Sequence, residues 1–205
     1  MKGIKNLLGI GLASLALLAG SQESRAEDNA NNADNAGNAK SFSAKMGYFL
    51  PLSFCYGEKP LDYRYYRTDL SFERSFGEKK DFRASLDASI INVDRGFGNF
   101  YAGPGFSIAW KFLENGRFSA GLKGGWSVFY NDAHKTERYD ERDQRYVGSP
   151  IEFDSRLGLD MELRLGKKVG IVAESSIEHI SNAGLSSRNE GINTFGFMAG
   201  IRKAF

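Results

Sequence analysis

From residue 42 to residue 205, apolar and polar side chains alternate with a period of two, in run after run. Phe42, Ala44, Met46, Tyr48, Leu50, Leu52 and Phe54 alternate with Ser43, Lys45, Gly47 and Ser53. Phe82, Ala84, Leu86, Ala88 and Ile90 oppose Arg83, Ser85, Asp87 and Ser89. The same rhythm marks 100–112, 118–128, 151–165, 169–182 and 193–205, while 62–76 is the least regular run, with Tyr66, Leu70, Phe72 and Phe76 on its apolar side. Alternate residues of a strand point to opposite faces, so each run predicts a strand with one apolar and one polar face. That makes eight strands, and no long helical period appears among them.

Most of these runs match or exceed the roughly 9–11 residues that a tilted strand needs to cross a bilayer. In the sixth run the polar face carries Glu152, Asp154, Arg156, Asp160, Glu162 and Arg164, against Ile151, Phe153, Leu157, Leu159, Met161, Leu163 and Leu165. A soluble sandwich or a lipocalin-like barrel satisfies the alternation too, but three features favour a membrane barrel. Turns after the even strands are short (77–80, 114–116, 166–168), whereas links after the odd strands are mostly longer and 131–149 is the longest. Short turns on one rim and longer loops on the other are the pattern of outer-membrane barrels. Aromatic residues gather at strand ends, at Phe42, Phe54, Phe76, Phe82, Phe100, Phe112, Phe118, Tyr130 and Phe205, where interfacial girdles belong. The chain also closes on Phe205 at the end of an alternating strand. The fold class expected is therefore all-β: an eight-stranded antiparallel transmembrane β-barrel of the outer membrane. Its inward charges, including Glu174, read as a salt-bridge network filling a narrow lumen rather than as a pore.

The N-terminus stands apart from this pattern. Lys2 and Lys5 precede an apolar stretch from Leu7 to Gly20, and Ser24-Arg25-Ala26 has the small-x-small form of a cleavage site. Residues 1–26 are read as a cleaved signal peptide and 27–41, rich in Asn, Ala and Asp, as a flexible tail. The barrel domain is then 42–205. Removing 1–26 takes away three cations and one anion, so the formal net charge of +2 falls to zero. A neutral chain has no overall basic bias toward nucleic acid. A single cysteine, Cys55, excludes an intramolecular disulfide. Of the two histidines, His134 lies in a charged loop, and no Cys/His cluster has metal-ligand spacing.

The candidate chemistry lies at the end of the seventh strand, in Glu178-His179-Ile180-Ser181-Asn182-Ala183-Gly184-Leu185. His179 and Ser181 share the odd face with Val169, Ile171, Ala173 and Ile177, which is the lipid-facing wall if the protein is a membrane barrel. A serine hydroxyl is a weak nucleophile until a neighbouring base takes its proton, and histidine is the usual base near neutral pH. Polar groups on a lipid wall are expensive and tend to be functional. With both termini periplasmic, the seventh strand ends at the cell surface, near the outer-leaflet head groups. Asn193 opens the eighth strand with the same outward parity. Glu178 has the opposite parity and points into the lumen.

His179-x-Ser181-Asn182-Ala183, followed by Asn189-x-Gly191, resembles the signature of the lipid A 3-O-deacylases of the PagL type. The resemblance is strongest over 178–193 and looser over 100–205. It implies an outer-membrane carboxylic ester hydrolase acting on the 3-position acyl ester of lipid A, with lipopolysaccharide as substrate and no cofactor. By that likeness Ser181 is the nucleophile, His179 the general base, and the main-chain N–H groups of Asn182 and Gly184 the oxyanion donors. Asn189 helps shape the site. Where triad-bearing relatives have Glu, this chain has Asn193, so either Asn193 orients the imidazole, or Glu190 does so from the loop, or activity is low. A homodimer is left open. The competing reading is a non-enzymatic small outer-membrane barrel, structural or adhesive; a soluble exported ligand carrier comes third.

Overall fold

The structure is a computed structural model and describes residues 40–52, 63–77, 81–95, 100–131, 149–185 and 191–205. Eight strands follow one another: β1 (Lys40–Pro51), β2 (Arg64–Phe76), β3 (Phe82–Arg95), β4 (Phe100–Asn115), β5 (Phe118–Asn131), β6 (Ile151–Arg164), β7 (Val169–Ser181) and β8 (Ile192–Ala204). Each pairs antiparallel with its sequence neighbour, and β1 pairs with β8, so the sheet closes and no edge is left unpaired. Closure is what a bilayer demands of a sheet, because lipid offers no partner for an exposed backbone N–H or C=O.

Burial inverts that of a soluble protein. Leu86, Phe106, Trp110, Trp126, Leu157, Leu159, Ile171 and Phe197 stand exposed on the outer wall, while Arg67, Asp69, Lys45, Glu73, Asp154, Arg156, Glu174 and Glu178 are buried inside. Of the strand-end aromatics, Phe76, Phe82, Phe100, Phe112, Phe118, Tyr130 and Phe205 are outward and exposed, and Phe42 is half-buried. Phe54 and Cys55 lie outside the described residues, as do His134, Asn189, Glu190 and everything before Lys40.

The lumen is filled in layers. Nearest the rim of short turns, Glu73 accepts from Arg202 Nε at 2.6 Å and from Ser43 Oγ at 2.7 Å, and Arg202 also pairs with Glu162. At mid-height Glu174 holds both Lys45 and Lys123, and Arg156 donates to Asp69 Oδ2 at 2.6 Å. Above them Arg67 donates to Asp69 and Ser89, and through Nη1 to both Asp154 and Glu178 at 2.9 Å. Toward the rim of loops the filling turns apolar: Phe49, Tyr63, Tyr65, Ile91, Tyr101, Phe129, Ile180 and Ile192 form one buried cluster. The expected salt-bridge network is thus present, and an aromatic layer lies beyond it.

That layer explains why 62–76 is irregular in sequence. Tyr63 and Tyr65 point inward into the aromatic layer while Tyr66 and Leu70 face outward, so near the loop rim both faces of β2 carry bulky residues. Several strand details differ from the alternation. β1 opens at Lys40, so Lys40 and Ser41 belong to the barrel and not to the preceding tail. β3 runs on to Arg95. In β4 the register shifts between Lys111 and Leu113, and this bulge leaves Phe112 and Leu113 both exposed.

Candidate active site

β7 brings His179 to the outer wall beside the loop rim, between β6 and β8. Register sets its neighbours: Ser155 of β6 is directly opposite on one side and Asn193 of β8 on the other. Ser181 stands two residues further along β7, on the same face, opposite Phe153. His179 and Ser155 are exposed; Ser181 and Asn193 are half-buried. Four polar side chains on three adjacent strands therefore interrupt a wall otherwise lined by Phe153, Leu157, Ile177 and Phe195.

The imidazole has a defined partner. His179 Nδ1 lies 2.8 Å from Asn193 Oδ1. An amide oxygen only accepts, so in this arrangement Nδ1 donates, and in the neutral ring it is Nε2 that keeps its lone pair. That is the tautomer a general base needs if it is to take a proton at Nε2. Among the described residues, the hydrogen bond of the imidazole is to Asn193 and not to Ser181.

Beyond Ser181 the chain turns sharply. Leu185 N–H donates to the Asn182 carbonyl at 3.0 Å, and the two central residues, Ala183 and Gly184, have φ of 51° and 84°. Positive φ at both positions is the type I′ pattern. Glycine adopts it freely; at Ala183 it is strained by roughly 1–2 kcal/mol. The buried Asn182 side chain holds the turn, its Oδ1 accepting from Gly184 N–H at 3.0 Å. This is the same Gly184 N–H that the family resemblance points to as an oxyanion donor, and an oxyanion would have to take the place of Asn182 Oδ1.

Behind the wall, the inward neighbours of the site residues are locked. Glu178 and Thr194 pair across β7 and β8, and the Tyr65 hydroxyl bonds to both, at 2.7 Å to Thr194 Oγ1. Glu178 thus serves the lumen, as its parity requires. Among the described residues no group of three or more His, Cys, Asp or Glu is placed to hold a metal ion.

The model of the lipid A 3-O-deacylase (PagL) family matches residues 64–202, about two thirds of the chain. The chain belongs to the lipid A 3-O-deacylase (PagL) family. A search of the curated proteins finds no match. Among solved structures, the crystal structure of the outer membrane enzyme PagL is similar with a TM-score of 0.54 and 19% identity, covering 78% of this chain and 97% of that one. Neisserial surface protein A (NspA) is similar with a TM-score of 0.57 and 12% identity, covering 83% and 98%. Such identities speak for the fold. Family and fold together place the protein in the bacterial outer membrane, so its apolar outer wall meets lipid.

One member of the polar row escaped the sequence reading. Ser155 sits in the apolar face of β6, between Phe153 and Leu157, and that interruption of the alternation is the signal that marks it. Asn189, expected to shape the site, and Glu190, the alternative orienting group, fall in 186–190, outside the described residues.

Proposed function

We propose that this PagL-family protein hydrolyses the acyl ester at the 3-position of lipid A by a serine–histidine mechanism on the lipid-facing wall of the barrel. Ser181 is the nucleophile, His179 the general base, and Asn193 the residue that orients the imidazole. The observation that carries this reading is the 2.8 Å contact between His179 Nδ1 and Asn193 Oδ1. A lipid-facing wall has no structural use for a fixed imidazole tautomer, whereas base catalysis requires one.

The steps follow from the chemistry of the groups. His179 Nε2 accepts the Ser181 proton as Oγ attacks the ester carbonyl carbon, and the carbonyl oxygen becomes an oxyanion. Main-chain N–H groups of the turn, from Asn182 and Gly184, stabilise that charge, Gly184 exchanging Asn182 Oδ1 for the oxyanion. Collapse breaks the bond between the acyl carbon and the sugar 3-oxygen, which takes the proton back from the imidazolium. Water, deprotonated by His179, then attacks the acyl-serine and releases the fatty acid with Ser181 restored.

Location supplies the substrate. The site lies at the loop end of an odd-numbered strand, the depth of the outer-leaflet head groups, and Leu157, Ile177 and Phe197 below it offer an apolar wall for acyl chains. Mass spectrometry of lipid A from cells expressing the chain tests the reading. Loss of the 3-linked acyl chain is expected with the native sequence and not with Ser181→Ala. Unchanged lipid A in both would favour the non-enzymatic barrel.

A further inference from the structure

Gly191 immediately precedes β8 and shares the outward parity of Asn193. A Cβ built on it would lie 2.2 Å from His179 Cε1, 2.8 Å from Nε2 and 3.1 Å from Nδ1. The backbone at Gly191 therefore covers the ring edge between the two nitrogens, at a distance only glycine permits. No positive φ accompanies this closeness: among the described glycines only Gly77, Gly116 and Gly184 have one. Glycine is thus not required at 191 by backbone conformation. The requirement comes from the imidazole itself.

We propose that Gly191 is a positioning residue, the seat that holds the His179 ring with Nδ1 on Asn193, so that Nε2 is the nitrogen that serves Ser181. This rests on the reading of His179 as general base. Asn193 alone fixes one nitrogen and leaves the ring free to swing about that contact. Gly191 closes the second side. Three groups then define the ring: Asn193 at Nδ1, the Gly191 backbone along the Cε1 edge, and the strand that bears it.

A side chain at 191 would separate folding from chemistry. The atoms it meets belong to a ring on the outer wall, able to rotate away, so the barrel closes around it unharmed. The ring, however, must retreat by about 1 Å to regain ordinary contact. A misplacement of that size at a reacting group costs on the order of 100-fold in rate.

The test is Gly191→Ala, with Gly166→Ala as control, since a Cβ at Gly166 meets nothing within 4 Å. The chain has two histidines, so a His134→Gln background leaves His179 as a lone reporter for nitrogen-15 NMR of the imidazole. With native Gly191 a single tautomer, protonated at Nδ1, is expected; Gly191→Ala should give an averaged or altered imidazole spectrum. In the same variant kcat should fall about 100-fold with KM little changed, while Gly166→Ala behaves as native. An unaltered imidazole spectrum together with native kcat in a folded Gly191→Ala barrel would overturn the proposal. If Gly191→Ala does not assemble, adding His179→Ala must restore assembly; failure to do so also overturns it. If the native protein hydrolyses no lipid A but the imidazole spectrum still responds to Gly191→Ala, the seat stands and the esterase reading falls.

Discussion

β7 and β8 present two faces at one height, and the two are built in opposite ways. Inside, Glu178 is held by Arg67 and Tyr65, and Tyr65 reaches on to Thr194. Arg67 itself touches Asp69, Asp154 and Ser89, and its guanidinium lies 5.4 Å from the centroid of the Phe129 ring. Arg67 and Tyr65 each reach partners on more than one other strand. Outside, one residue along in each strand, His179 pairs with Asn193 on an open wall. The inner face fixes the register of β7 against β8; the outer face uses that register to bring an imidazole and an amide together. On the proposed mechanism, stability and chemistry occupy alternate residues of the same strands, and the period of two keeps them apart.

If that division holds, the largest effect on chemistry comes from the outer face without any effect on folding. Ser181→Ala and His179→Ala should each lower deacylation by about 10⁴-fold or more. Both variants should retain the heat-modifiable mobility of a folded barrel on gels. Loss of assembly in either would place these residues in the packing and erase the contrast.

The inner face should behave in reverse. Arg67→Ala leaves the carboxylates of Asp69, Asp154 and Glu178 crowded around a missing cation, and breaking such a buried network costs about 3–5 kcal/mol. Assembly yield and the urea midpoint of the refolded barrel should both drop. Deacylation per folded molecule should change far less than in Ser181→Ala, since Arg67 touches neither His179 nor Asn193. A folded Arg67→Ala barrel with native stability and no activity would show that the lumen takes part in catalysis.

The apolar part of the outer wall offers a third comparison. Leu159→Arg and Ile171→Arg place a cation against lipid, which near the midplane of a barrel costs roughly 2–4 kcal/mol. Normal folding of both in lipid vesicles would contradict the membrane-facing assignment of that wall.

How far the sequence alone reached follows from the same division. Period-two alternation reports directly on which face a residue occupies, so the eight strands and the lumen charges on β6 were legible. Parity, with the hairpin adjacency of β7 and β8, also pointed to Asn193 beside His179. The alternation blurred in β2, where Tyr63 and Tyr65 fill the lumen while Tyr66 faces out and both faces look apolar. Ser155 could have been read as a polar break in β6, but its place opposite His179 depends on the β6–β7 register, which parity does not give. Gly191 shows in one dimension only as part of the Asn189-x-Gly191 motif, and its role does not, because the ring it seats belongs to another strand.

The smallest effect expected is also the one that sharpens the contrast most, because it concerns the strength of the outer pair. Asn193 Oδ1 accepts from His179 Nδ1 and so selects the tautomer, but an amide offers no charge to balance the imidazolium that the proposed mechanism forms as Ser181 loses its proton. Removing it in Asn193→Ala should lower kcat about 10-fold, roughly the 1.4 kcal/mol of one hydrogen bond to a group becoming charged. Asn193→Glu keeps an acceptor at the same register position and adds the charge, so activity should be kept or raised. The barrel should tolerate both, since the inward neighbour Thr194 and its Tyr65 bond are untouched. Glu190→Ala should do little, because the imidazole already has its partner on β8. An inactive Glu190→Ala beside a fully active Asn193→Ala would move the orienting role from the strand to the loop, and the outer face would then owe its chemistry to more than the register fixed from within.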